Sequence, residues 1–155
     1  MKVIVLDHQQ FEIDELFQFI RSGNKVELGE NARKAILKCR EYLNDKMENT
    51  EGNIYGINTG FGSLYDQSIS KEDLAKLQVN LVRSHACGTG EETPSNIVRT
   101  MLLFKAIGLH YGHSGVQVET VERLLYFYNH DIIPVVYEQG SLGASGDLSP
   151  LAHIA

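Results

Sequence analysis

The chain has 155 residues, of which 43% are hydrophobic, with 14 basic and 20 acidic side chains for a net charge of −6. This is enough apolar material to pack the core of one ordinary domain and too much for a disordered segment. The negative balance, with no Lys/Arg run, excludes the electrostatic footprint of a nucleic-acid binder or of a protein held on an anionic membrane.

The two cysteines, Cys39 and Cys87, are too few for a disulfide scaffold and suit a reducing compartment. The first ten residues hold an apolar run of only four, so neither a signal peptide nor a membrane span is expected. Together these features predict a cytoplasmic protein.

In chain order, "VIVL" (3–6) predicts a short strand. "EIDELFQFI" (12–20) predicts a helix with Ile13, Leu16, Phe17 and Ile20 on one face, stopped at Gly23. "KVEL" (25–28) predicts a second strand. Residues 30–48 form the strongest helical pattern, with Ala32, Ile36, Cys39, Leu43 and Met47 on one stripe. Residues 49–69 contain four glycines and no helical period, which predicts a loop.

Ser70 and Asp73 form an S-x-x-D capping pair, placing the next helix start at Ser70, with Leu74, Leu77 and Leu81 leading to His85. "GTGEE" (88–92) is expected to close it. Thr93-Pro94 predicts another start, followed by Val98, Leu102, Lys105/Ala106 and Leu109. "GHSG" (112–115) is a turn, and Val118, Val121, Leu125 and Tyr128 mark a further helix. "IIPVV" (132–136) reads as a short extended piece that Pro134 keeps out of a central strand. Ser149-Pro150 signals a last helix that has barely begun at Ala155, which predicts a fragment of a longer protein. The fold class is therefore mainly α with a few short strands, one segment over 1–155 without an internal boundary.

Two glycine loops carry the chemistry. In "YGINTGFG", Gly56, Gly60 and Gly62 match a phosphate-cradling spacing, but no core strand precedes them and no helix opening follows. Two aromatic rings in such a loop suggest instead a lid that closes on something. In "GSLGASGDLSPLAH" (140–153), Gly146 follows Ser145 directly, so the G-x-S-x-G elbow of a serine hydrolase is not met. A turn with Ser145 or Asp147 capping a helix is the plain reading.

A sharper reading uses the run of small residues. The amide nitrogen of Gly146 can attack the carbonyl carbon of Ala144, and Ser145 can lose its hydroxyl, shedding two waters in all. The product is a five-membered ring bearing an electrophile that no ordinary side chain supplies.

"YGINTGFG", "SHACGTG" and "GSLGASGDLSPLAH", in this order, resemble the aromatic amino acid ammonia-lyases from about residue 50 to the C-terminus, and most of all the histidine-specific branch. The resemblance implies the N-terminal part of a helical-bundle enzyme of the fumarase/aspartase type, much longer than this chain and homotetrameric. It implies non-oxidative elimination of ammonia from L-histidine to give trans-urocanate, with a methylidene-imidazolone (MIO) group formed from Ala144, Ser145 and Gly146 and no external cofactor.

Tyr55 takes the position of the catalytic base for the β-proton. A free phenol ionises at a pH of about 10, so that role requires nearby positive charge or donors. His85 takes the substrate-selectivity position, and Gly60 and Asp147 are supporting residues. A tyrosine ammonia-lyase or aminomutase of the same family is the near alternative, and a catalytically silent helical oligomerisation module the distant one. His110 and His113 stand at i, i+3 but lack a Cys or acidic partner, so a structural or surface role and no metal are expected.

Overall fold

The computed structural model describes residues 3–49, 52–143 and 146–155. The contacts divide the chain into two compact units, Met1–Glu48 with Pro94–Pro134, and Asn49–Thr93 with Val135–Ala155.

The first unit opens on a β-α-β crossover. Strand β1 (Val3–Leu6) pairs in parallel with β2 (Lys25–Leu28), Val3 opposite Lys25 and Leu6 opposite Leu28. Alternation along the strands sends Ile4, Leu6 and Val26 inward. Helix α1 (Ile13–Ser22) connects them. Glu12 and Glu15 form a reciprocal capping box at its start, and Gly23 ends it at φ 61°. Its apolar face is present as the pattern predicts, yet it buries no residue among those described: Ile13 and Phe17 stay exposed.

Helix α2 (Glu30–Asn49) sets Ala32 and Ile36 into the core. The Asp7 carboxylate accepts the Ala32 N–H at 2.8 Å and the Asn31 side-chain amide at 2.8 Å, so β1 leads directly into the cap of α2. The Ala32 hydrogen bond is the main reason the Asp7 carboxyl is held below the usual carboxylate range.

Helices α4 (Ser95–His110) and α5 (Val118–Asn129) form the centre of this unit, burying Val98, Leu102, Leu103 and Ala106 against Val118, Val121, Leu125 and Tyr128. Burying a side chain of this kind contributes about 1.5–3 kcal/mol. The Asn129 amide clamps both the N–H and the C=O of Val26, at 2.9 and 2.8 Å, tying α5 to β2.

His110, at 0% exposure, sits beside His8, Phe11 and Tyr111 with Nδ1 on the Ile107 carbonyl. Burial pushes its pKa below 6.5, which the Ile107 bond only partly offsets. The unfolded chain therefore binds this proton more readily. The associated stability is complete above pH 6.5 and is lost as the pH falls from there towards the depressed folded value. Thermal unfolding followed across pH 5–7.5 is expected to show that loss, and His110→Leu to flatten it.

The second unit departs from the sequence reading in several places. Helix α3 (Leu74–His85) starts four residues later than Ser70. The Ser70–Asp73 pair does form, with Asp73 N on Ser70 Oγ at 3.3 Å, but it closes a turn ahead of the helix. Residues 89–92 are not simply the end of that helix. They form β3 (Thr89–Glu92), paired antiparallel with β4 (Tyr137–Gln139), Thr89 opposite Gln139 and Glu92 opposite Tyr137.

Pairing over so long a separation is invisible to local pattern. Pro94 is the N-cap of α4 and not its first turn. Residues 132–136 remain irregular, as Pro134 requires, while the Val136 carbonyl accepts the Thr93 N–H at 2.7 Å. The last helix, α6 (Leu148–Ile154), is preceded by Asp147 at the N-cap, so Ser149-Pro150 lies inside its first turn. The mainly helical class with few, short strands stands.

Candidate active site

All the residues assigned to the site in the sequence fall in the second unit. In the first glycine loop, Thr59 is fully buried. It accepts the Gly56 N–H at 3.3 Å and donates to the Gly60 carbonyl at 2.9 Å. Asn58 accepts Ile54 N at 2.6 Å, and its carbonyl accepts Ile69 N at 2.9 Å.

A bridge between Thr59 and Ser68 and a 3-10 turn at Gly62–Leu64 complete the loop. Gly60 is the close-packed point: a Cβ there would lie 2.6 Å from both the Leu64 Cβ and its carbonyl oxygen. This self-bonded loop presents Tyr55, which is 64% exposed with its ring set edge-on to Phe61 at 6.3 Å.

His85 ends α3. Its Nδ1 lies 2.8 Å from the Leu81 carbonyl and 3.0 Å from Ser84 Oγ. A carbonyl only accepts, so Nδ1 carries the proton and Nε2 is the acceptor of the neutral ring. His85 stands in the wall of a cavity of about 190 Å³, with Leu81 and Val82 of α3 on one side and Leu148, Leu151, Ala152 and Ala155 from the α6 end on the other. Among the described residues it is the one polar side chain of that lining. The cavity can therefore take an apolar or ring-shaped group that offers a hydrogen-bond donor at one edge. Tyr55 is not among the lining residues.

Ala144 and Ser145 lie outside the described residues; Gly146 and Asp147 lie within them. Gly146 has φ 143°, a conformation L side chains rarely adopt, and a Cβ there would meet no atom within 4 Å. Asp147 occupies the N-cap position of α6 without a side-chain capping bond. The capping is done instead from the other end of the loop, where the Ser141 hydroxyl accepts the Ser149 N–H at 2.8 Å. Residues 141 and 149 are thus held together, with the three small residues between them.

Sequence reasoning gave no constellation to His153. In the fold its Nε2 accepts the Gly88 N–H at 2.9 Å, and its ring packs edge-on to Tyr137 at 5.6 Å. Ser141 drew no reading from the sequence, and Ser149 was read only, with Pro150, as the signal of the last helix, not as the partner of Ser141. The only available signal was their membership in the "GSLG" and "GDLSPLAH" stretches. His110 and His113 form no such site: one is buried and one exposed. Among the described residues no group of three or more His, Cys, Asp or Glu side chains is placed to hold a metal, and no helix is long and apolar enough to cross a membrane.

The sequence model of the family described as aromatic amino acid lyase matches residues 11–155. The chain belongs to the aromatic amino acid lyase family. Among curated relatives, histidine ammonia-lyase of Deinococcus radiodurans is 47% identical over 98% of this chain and 29% of its own length. That of Clostridium tetani is 44% identical over 99% of this chain and 30% of its own.

Solved lyase-family structures superpose well. Ergothionase from Treponema denticola gives a TM-score of 0.91 at 25% identity, covering 99% of this chain and 30% of that one. Histidine ammonia-lyase from Trypanosoma cruzi gives 0.82 at 33%, covering 98% and 29%. The chain thus spans about three-tenths of the length of the curated relatives it matches.

Proposed function

We propose that the complete polypeptide eliminates ammonia from L-histidine to give trans-urocanate, using an MIO group formed from Ala144, Ser145 and Gly146. The observation that carries the choice of substrate is His85, held as the Nδ1-protonated tautomer in the wall of an open, apolar pocket that residues of α6 also line. Its Nε2 accepts from the imidazole N–H of the substrate while the surrounding Leu and Ala side chains take the ring faces. The 44–47% identity to histidine ammonia-lyases supports the same choice.

The reaction breaks the Cβ–H and Cα–N bonds and forms a Cα=Cβ double bond. The MIO group, once formed, supplies an electrophile that makes a poor leaving group leave. Tyr55 takes the β-proton, and the exposed loop position of its hydroxyl lets it reach an incoming substrate. Asp147, next to Gly146, assists ring formation, and Gly60 gives the Tyr55 loop its tight turn. The reading carries with it a cytoplasmic homotetramer, as the family resemblance implies.

The test is direct. L-histidine and L-tyrosine are offered separately to the complete polypeptide, and the conjugated acid is followed by ultraviolet absorbance. Urocanate from histidine alone is expected; coumarate from tyrosine reassigns His85 to a phenol, and no product from either overturns the reading. In the same assay His85→Leu is expected to raise KM for L-histidine about tenfold, the worth of one lost hydrogen bond, with kcat less affected.

A further inference from the structure

Three stretches far apart in the sequence meet at one point in the second unit. Gly88 follows α3 by three residues, Gly140 follows β4, and His153 lies in α6. The fit is close. A Cβ on Gly88 would lie 2.6 Å from His153 Nε2 and 3.1 Å from Tyr137 Cβ, and a Cβ on Gly140 would lie 2.8 Å from Gly88 Cα and 2.7 Å from Ser149 Oγ. A side chain at 88 would strike the His153 and Tyr137 side chains, and one at 140 would strike the Gly88 backbone.

The exit from α3 is also tightly turned. Ala86 N closes on the Val82 carbonyl at 2.9 Å and Cys87 N on the His85 carbonyl at 2.8 Å. The next donor, Gly88 N–H, goes to His153 Nε2 at 2.9 Å, after which β3 begins. Because Nε2 accepts, the neutral His153 ring carries its proton on Nδ1, and the edge contact with Tyr137 fixes the plane of the ring.

We propose that His153 is a positioning residue for His85. Its Nε2 holds the 86–88 segment to α6, and α6 is also the opposite wall of the His85 cavity. One hydrogen bond therefore sets the spacing between the selecting imidazole and the apolar surface it faces. His153 touches no reacting atom; it acts through the backbone that follows His85. The consequence for substrate rests on the function proposed above, whereas the consequence for the backbone does not.

The experiment compares wild type, His153→Gln and His153→Leu in the complete polypeptide. Glutamine extends an acceptor to about the reach of Nε2; leucine offers none. Amide hydrogen exchange is read on the peptide containing Gly88, and KM and kcat are measured with L-histidine. Exchange at Gly88 is expected to quicken about tenfold in the leucine variant, in step with the loss of one hydrogen bond, and to return towards wild type with glutamine. KM follows the same order, about tenfold up and then recovered, with kcat within a few-fold.

Unchanged Gly88 exchange in His153→Leu overturns the proposal. So does altered exchange with wild-type KM in an active enzyme, since the bond would then hold backbone without setting the pocket. A wild type inactive on histidine overturns the substrate reading alone, and the exchange comparison still decides the backbone role. If the leucine variant does not fold, His153→Asn, whose amide falls short of Gly88, replaces it in the same comparison.

Discussion

Replacing Ser145 with alanine is expected to lower kcat on L-histidine by at least about a thousand-fold in the complete polypeptide, a loss of about 4 kcal/mol in transition-state stabilisation. An alanine methyl cannot leave as water, so no exocyclic methylene forms, and no neighbouring side chain replaces the electrophile. The Ser141–Ser149 hydrogen bond at the start of α6 is untouched by this change, and the fold is expected to survive it. Intact mass gives the independent reading: wild type is lighter than its translated sequence by two waters, and Ser145→Ala does not lose the second. Full activity in the variant, or a wild type that retains both waters, rules out MIO chemistry here.

Tyr55→Phe is expected to lower kcat by about a hundred- to ten-thousand-fold, the usual contribution of a positioned acid or base, with KM nearly unchanged. Phenylalanine keeps the ring edge-on to Phe61 and removes only the hydroxyl, so the loop retains its packing. The loop is held by Thr59 and Asn58, neither of which bonds to the Tyr55 hydroxyl. The two-water mass deficit should persist in this variant, which separates loss of the base from loss of the ring. A kcat close to wild type places the base elsewhere.

Much of the fold was legible in the chain because its helices declare themselves locally. Val98, Leu102 and Leu109, with Ala106 rather than the exposed Lys105, and the stripe Val118, Val121, Leu125 and Tyr128 are the buried faces of α4 and α5. Gly23 ends α1 as its position predicts. Where the reading failed, the deciding partner was remote. Thr89–Glu92 becomes a strand through residues some fifty positions away, and "GTGEE" carries nothing of that partner. Ser149-Pro150 resembles a helix start, yet the capping acceptor is the hydroxyl of Ser141. The apolar face of α1 was read correctly as a pattern, but a pattern states only that a face can be buried.

The site divides along the same line. Sequence alone determined the family, because three separated motifs each demand unusual residues: glycines where backbones turn or touch, a tyrosine in a loop, and three small residues in a row. Those demands are local and chemical, so they survive in the order of the letters. Tertiary structure decided the tautomer of His85, the apolar cavity it shares with α6, and the engagement of His153 with Gly88. Each depends on which atoms stand within 3 Å of one another, a property of packing between elements that no local pattern encodes.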